Sequence, residues 1–291
     1  MPVKFMAHRN GTTQAVRHKT ADMFDLSGRT AVIVGGAGKM GTQFGYTLAA
    51  AGATVILVDK DVERCKKVAH EISKATRKSV QDYCLDGGDE AHVHNMFHSI
   101  NRDHQRVDIL IYNVMAKPDG YYKSTTDYEV TTWNDTISGN LTGAFLCCRE
   151  AARYMKPMKS GVIVLTSSIY GVVAPDQRLY AECGAAKNIY GSDESLNCPA
   201  VYSASKAGLI GLGKHLAARW GKYNIRVNML IPGGVYDGQE DAFQREYNKR
   251  TPLGRMAAWS DFNGAILFMV SDASSYMTGS NLVVDGGWTV W

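Results

Sequence analysis

The chain has 291 residues, of which 45% are hydrophobic and 21% charged, and its formal net charge is +4. That apolar content supports a sizeable buried core, and so mild a basic balance argues against a nucleic-acid partner. No stretch approaches the ~18 apolar residues that span a bilayer.

Nor does the N-terminus read as a signal peptide. Cys65, Cys84, Cys147, Cys148, Cys183 and Cys198 lack the repeated spacing of a zinc site, and none is expected. A reduced, cytoplasmic protein with no metal and no membrane partner is the expectation. Residues 1–24 form a basic arm in which Lys4, Arg9, Arg17 and Lys19 precede the first acid, Asp22.

From Arg29 onward, short β-branched runs alternate with helical patterns. Strands are expected at 30–34, 54–58, 80–85, 107–112, 161–167, 225–231 and 281–285, mostly apolar throughout, as in a sheet buried on both faces. Helices are expected at 40–51, 62–76, 89–101, about 131–156, 202–220 and 260–270. This alternation predicts a Rossmann-type α/β fold: a doubly wound, parallel, seven-stranded sheet in a three-layer sandwich. No linker interrupts it, so residues 25–291 read as one domain.

The first strand runs into GGAGKMG, where Gly36, Gly38 and Gly41 satisfy GxGxxG. Small residues there let backbone N–H groups and a helix N-terminus approach a pyrophosphate. Gly35, Gly36, Gly38, Lys39, Met40 and Gly41 are therefore candidate dinucleotide contacts. Asp59 ends the second strand, where a carboxylate accepts from ribose hydroxyls and repels a 2′-phosphate. NAD is favoured, while the nearby cations Lys39 and Lys60 keep NADP possible. His92, His94 and His98 read as a solvated helix surface, and Cys147 and Cys148 as core or a subunit contact.

The fifth strand ends at Ser168, on the carboxyl edge where α/β sheets bind ligands. Tyr202 and Lys206 follow at i, i+4 spacing in YSASK, so an ammonium can stabilise a phenolate. Ser168 would hold a substrate oxygen, Tyr202 would move its proton, and Asn140 could fix a relaying water. The polar stretch at about 175–199 reads as an active-site insertion and 237–250 as a helical lid. Tyr170, Arg178, Lys187 and Gly234 are candidate substrate contacts alongside Ser168. Arg245, Lys249 and Arg250 are further cations that could recognise an anionic substrate. Cys183 and Cys198 are expected as thiols.

With these motifs in place the chain resembles the short-chain dehydrogenase/reductase family, in its short single-domain branch. The likeness spans about residues 25–291 and rests on GGAGKMG, LDGGD, YNVM, GNLTGAF, TSSIYG, YSASK, IPGGV and VVDGGW. It implies a catalytic tetrad of Asn140, Ser168, Tyr202 and Lys206. Asp86, beside Gly87, would hold adenine, and Asn113 and Val114 would border the cofactor. Pro232, Gly233 and Val235 would meet the nicotinamide end, where Tyr202 and Lys206 also touch the cofactor. The resemblance further implies a homo-oligomer, a dimer or tetramer, built through the long helices and last strand. Its narrower wording is similar to bacterial surface-sugar and flagellin-modification oxidoreductases.

The expected activity is hydride transfer between NAD(P) and a secondary alcohol or ketone of a sugar or other polyhydroxylated small molecule. Two departures stand out. The glycine loop is spaced as in nucleotide-sugar epimerases and dehydratases, which makes such an enzyme with retained NAD one alternative; a non-catalytic dinucleotide-binding protein is another. Tyr112 and Met115 replace small or polar family residues, and their bulk would alter cofactor grip or the pocket floor.

Overall fold

The computed structural model describes residues 20–85, 88–181, 188 and 196–291. Seven parallel strands form one sheet in the order β3-β2-β1-β4-β5-β6-β7. They are β1 (Thr30–Val34), β2 (Thr54–Asp59), β3 (Val80–Cys84), β4 (Ile109–Tyr112), β5 (Gly161–Thr166), β6 (Ile225–Pro232) and β7 (Asn281–Val284). The helices are α1 (Lys39–Ala50), α2 (Val62–Thr76), α3 (Glu90–His104), α4 (Val130–Ile137), α5 (Gly143–Met158), α6 (Arg178–Ala181), α7 (Ala200–Trp220), α8 (Asp241–Lys249) and α9 (Asn263–Val270). The expected α/β sandwich is the observed fold.

The layers follow from the two-residue side-chain period of a strand. In β1, Val32 and Val34 face one core, shared with Phe97 of α3, Ala151 of α5 and Leu209 of α7. Ala31 and Ile33 face the other core, with Phe44 of α1, Ile72 of α2 and Ile266 of α9. Both faces are covered, which is why these strands are apolar nearly throughout. Cys147 and Cys148 are fully buried in the first core.

Strand order reverses between β1 and β4, each of which pairs with a neighbour on its other side. Their carboxyl ends therefore diverge into a crevice. β2 extends one residue further than expected, to Asp59, and β6 reaches Pro232, so the sheet itself holds both residues.

The long helix expected at about 131–156 is interrupted. Ser138–Thr142 forms a π turn between α4 and α5. Insertions of this kind re-aim a helix and recur at functional sites. The Tyr112 hydroxyl donates to the main-chain oxygen of Gly139 inside that turn. Its ring is fully buried, so Tyr112 supports the π turn from below.

His92, His94 and His98 are exposed on α3, as expected of a solvated helix surface. His94 Nδ1 lies 3.0 Å from Oε2 of Glu150, a buried carboxylate of α5. The docking of α3 on α5 supplies this partner from far along the chain.

Candidate active site

A cavity of about 960 Å³ runs along the carboxyl edge of the sheet, lined by strand-end residues Val34, Asp59, Asn113, Thr166 and Pro232. Gly35, Gly38, Lys39, Met40, Lys60 and Val114 line it too, as do Ser168, Tyr170, Tyr202, Lys206, Gly233, Gly234 and Val235. Asp86, Gly87 and Lys187, also expected at the site, lie outside the described residues, as does Cys183.

At one end the glycine loop turns β1 into α1. Gly35 has φ +79°, and a Cβ there would sit 2.7 Å from the Asn113 oxygen. Gly36 and Gly41 are not among the lining residues. A Cβ on Gly41 would come within 2.2 Å of the Gly35 oxygen, and one on Gly36 within 2.8 Å of the Ile33 oxygen. Their missing side chains let helix and strand pack close enough to shape the turn. Gly38 caps α1 with no side-chain hydrogen bond, leaving the first-turn N–H groups for another acceptor.

Asp59 accepts from the Ala37 N–H at 3.0 Å, so this carboxylate also braces the loop. Lys39 pairs with Asp237, beyond β6, and its ammonium lies 5.9 Å from the Trp259 ring centre. Val235 makes a bridge to Ala257, and the Ala257 N–H donates to the Gly234 oxygen at 3.0 Å, which fixes the PGGV turn.

The catalytic candidates converge from three elements. Lys206 is buried in α7, and its Nζ donates to the Thr166 oxygen at 2.9 Å and the Val114 oxygen at 3.3 Å. Burial pushes its ammonium down to about 8 from an ordinary 10.5. The same Nζ is 5.9 Å from the ring centre of Tyr202. Ser168 follows β5 in extended conformation, and its Oγ accepts from the Tyr170 N–H at 3.2 Å. That contact uses an oxygen lone pair and leaves the hydroxyl proton for another acceptor. Ser167 Oγ donates to the Lys206 oxygen at 2.7 Å, locking this turn onto α7.

Asn140 sits in the π turn, fully buried and behind the lining. Its Oδ1 accepts from the Ala116 N–H at 2.7 Å, and its Nδ2 donates to Ser205 Oγ at 3.0 Å. Ser205 in turn donates to the Tyr202 main-chain oxygen at 3.0 Å. The asparagine thus joins the loop after β4 to the helix turn that carries Tyr202.

The far end of the cavity is aromatic. Tyr121 and Tyr122 meet edge to face at 4.9 Å and pack against Tyr202. Opposite them, Tyr180 of α6 meets Phe243 of α8 at 5.7 Å, and Tyr247 of α8 stacks on Trp288 at 4.4 Å. Tyr247 also accepts from the Gly234 N–H at 2.5 Å, and a Cβ on Gly234 would strike its ring.

Arg178, Lys249 and Arg250, expected as substrate cations, are held by acids outside the lining. Arg178 is outside the lining and holds Asp176, lowering that carboxyl to about 2 with help from Arg250. Arg250 and Lys249 pair with Glu246. These ion pairs lace the start of the 175–199 stretch to the lid helix.

The lining cation that sequence reasoning missed is Lys117, whose ammonium is 5.6 Å from the Tyr122 ring centre. Its only sequence signal was its place in a turn-rich loop after β4. Tyr121 and Tyr122 were missed for the same reason, and Tyr180 of α6 and Phe243 and Tyr247 of α8 because their meeting at the cavity depends on tertiary packing.

A family model described as short chain dehydrogenase matches residues 29–188. The chain belongs to the short-chain dehydrogenase family. A second model, described as enoyl-(acyl carrier protein) reductase, matches residues 186–289. D-arabinitol 2-dehydrogenase (ribulose-forming) of Scheffersomyces stipitis is 32% identical, over 92% of this chain and 96% of its own. NADP-dependent mannitol dehydrogenase of Alternaria alternata is 31% identical, over 92% and 95%. Among solved structures, a gluconate 5-dehydrogenase from Burkholderia cenocepacia in complex with NADP and tartrate has a TM-score of 0.81 at 26% identity, covering 93% of this chain and 99% of that one.

Of the two bulky residues in the altered stretch after β4, Tyr112 lies in the core, as described above. Met115 lines the cavity and is partly exposed. The altered wording of that stretch thus falls half on the scaffold and half on the site.

Proposed function

We propose that the protein is an NAD(P)-dependent polyol dehydrogenase that interconverts a secondary alcohol and a ketone. The observation that carries this is the meeting of Ser168, Tyr202 and Lys206 in one cavity with a dinucleotide-shaped loop. The polyol class follows the activities named for the arabinitol and mannitol enzymes.

The lining fits a dinucleotide. The uncapped first turn of α1 suits a pyrophosphate, and Asp59 suits ribose hydroxyls. Thr166 lines the cavity, and its buried Oγ1 has no hydrogen-bond partner among the described residues, as a site for a polar ligand group would leave it. Gly35, Gly38, Lys39, Met40, Asp59, Lys60, Asn113, Val114, Pro232, Gly233 and Val235 are the residues we assign to holding it, with NAD preferred on the charge of Asp59. When bound, the nicotinamide supplies the hydride acceptor or donor.

The chain's own residues handle the proton. Tyr202 takes the proton of the substrate hydroxyl during oxidation and returns it during reduction. The adjacent Lys206 ammonium stabilises the phenolate that forms. Ser168 donates its free hydroxyl proton to the substrate oxygen, holding it beside Tyr202. Asn140 acts as a positioning residue, through Ser205 for Tyr202 and through Ala116 for the loop after β4. Tyr170 and Gly234 border the substrate, and Tyr180 and residues 196–199, with the 237–250 lid, shape its end of the cavity.

We assign residues 25–291 to one catalytic domain, supported by the continuous sheet. A homo-oligomer is supported by Trp133 and Phe145, large apolar side chains exposed on α4 and α5. Among the described residues no helix is long and apolar enough to cross a membrane. The free thiols Cys65, Cys84, Cys147, Cys148 and Cys198 support a reducing, cytoplasmic location.

The test is a screen of pentitols, hexitols and the matching ketoses with NAD and NADP in parallel. Cofactor-linked turnover of at least one polyol–ketose pair is expected. A chain that binds NAD(H) yet turns over none of them would refute the reading.

A further inference from the structure

Tyr247 of α8 lines the substrate end of the cavity with a hydroxyl that the proton chemistry does not use. Its oxygen accepts from the Gly234 N–H at 2.5 Å, the one hydrogen bond of this phenol among the described residues. A phenol has a single O–H donor beside its accepting lone pairs. With the oxygen pinned by a main-chain N–H, the proton is left for an acceptor in the cavity. The side chain is buried, and buried hydroxyls take partners.

Three contacts fix the ring. Trp288, which follows β7, stacks on it at 4.4 Å with 22° between the ring planes, and Phe243 stacks on it from one helical turn before at 6.3 Å. A Cβ on Gly234 would come within 2.6 Å of the same ring, so a larger residue there would push the phenol off the PGGV turn. The tail that supplies Trp288 is itself tied down. The Asp285 carboxylate accepts from the Gly287 N–H at 2.8 Å and the Thr289 N–H at 2.9 Å, and Trp291 Nε1 donates to the Arg250 oxygen at 3.2 Å. A hydroxyl held this firmly loses little freedom on meeting a ligand.

The hydroxyl also stands near the reacting groups. Tyr247 and Tyr202 are both close enough to Tyr170 to act electrostatically on its phenol. The Tyr170 main-chain N–H in turn holds Ser168 Oγ at 3.2 Å. The hydroxyls of Tyr170 and Tyr180 bond each other, whereas that of Tyr247 meets main chain. Burial pushes the Tyr247 phenol up to about 12, so at neutral pH it is an uncharged donor and no second acid–base group.

We propose that Tyr247 is a specificity-determining residue that donates a hydrogen bond to a second substrate hydroxyl, one that is not oxidised. This rests on the polyol reading above and deepens it. Ser168 and Tyr202 hold the reacting oxygen, and Tyr247 holds the carbon chain by another of its hydroxyls. An alcohol lacking that hydroxyl leaves the buried phenol without an acceptor, so the site rejects it.

The test measures kcat/KM of the full chain at saturating cofactor for a pentitol and its deoxypentitols. Each deoxypentitol lacks one hydroxyl other than the one oxidised. Wild type should favour the pentitol over one of them by about tenfold or more. Tyr247→Phe keeps the stacking ring, removes the hydroxyl, and should reduce that preference to about threefold or less. The variant also frees the Gly234 N–H, which weakens turnover of pentitol and deoxypentitol alike. The ratio between them is insensitive to that loss, and NADH affinity, followed by fluorescence, reports it separately.

Equal use of the pentitol and every deoxypentitol by wild type would overturn the proposal. So would Tyr247→Phe lowering all of them by one factor, which would make the hydroxyl a brace for the PGGV turn alone. In both of those cases polyols are still oxidised, so the polyol reading survives. A chain that oxidises no polyol refutes that reading and takes this proposal with it.

Discussion

The Lys206 ammonium donates to the Thr166 main-chain oxygen 2.9 Å away, joining the helix that carries Tyr202 to the strand that delivers Ser168. That contact places a charge in the interior, and the molecule carries its cost. Below pH 8 Lys206 is protonated in folded and unfolded chains alike, so the burial penalty is fully present. Between pH 8 and 10.5 the folded chain loses the proton first, and the penalty fades. The shift corresponds to about 3 kcal/mol.

Lys206→Met should therefore change the pH profile of stability. Wild type should gain on the variant as pH rises from 8 toward 10.5, measured by chemical denaturation of cofactor-free protein. Turnover should fall by about 10²–10⁴ at neutral pH, as loss of acid–base tuning implies. Parallel stability profiles would show that the buried charge has no such cost.

Tyr202→Phe keeps the ring that packs on Tyr121 and Tyr122 but removes the proton carrier. Turnover should drop by about 10³-fold or more, while NADH binding, followed by fluorescence, changes little. Retained turnover would remove Tyr202 from the chemistry.

Asp59 has two jobs that two variants separate. Asp59→Asn retains an oxygen for the Ala37 N–H but removes the charge, and should raise the NADP-to-NAD ratio of kcat/KM about tenfold or more. Asp59→Ala should do the same and also lower the melting temperature, because the loop loses its brace. Equal melting temperatures for the two variants would leave the brace without energetic weight.

For Gly41→Ala the new Cβ would lie 2.2 Å from the Gly35 oxygen, a backbone atom that cannot rotate away. The glycine turn must open, at about 1–3 kcal/mol, and NADH affinity should fall with it. Calorimetric binding at near-normal affinity would contradict the close-packing role.

Asn140→Ala leaves the part-buried Ala116 N–H and the buried Ser205 hydroxyl short of partners, costing about 1–3 kcal/mol in stability. Because Asn140 acts through Tyr202 and its loop, kcat should fall more than KM rises. An unchanged kcat in a folded variant would restrict Asn140 to the scaffold.

Much of this molecule was legible before any coordinates. Buried parallel strands need apolar residues on both faces, so 30–34, 54–58 and 225–231 announced themselves. The glycine turn and YSASK were equally plain, because a turn and an i, i+4 pair are local geometries. The break in the long helix was not, since the π turn at Ser138–Thr142 depends on Tyr112 arriving beneath Gly139 from another strand. The contact of exposed His94 with Glu150 was not legible either, because Glu150 comes from a helix far along the chain.

The substrate end divides along the same line. Local patterning determined the sheet, the dinucleotide turn and the spacing of Tyr202 and Lys206. Only tertiary packing decided that Arg178 and Arg250 close on Asp176 while Lys117 reaches the cavity. Backbone preferences and hydrophobic periods are written over a few neighbouring residues. Which charge finds which partner depends on how distant loops are brought together, and that information is held by the folded sheet edge alone.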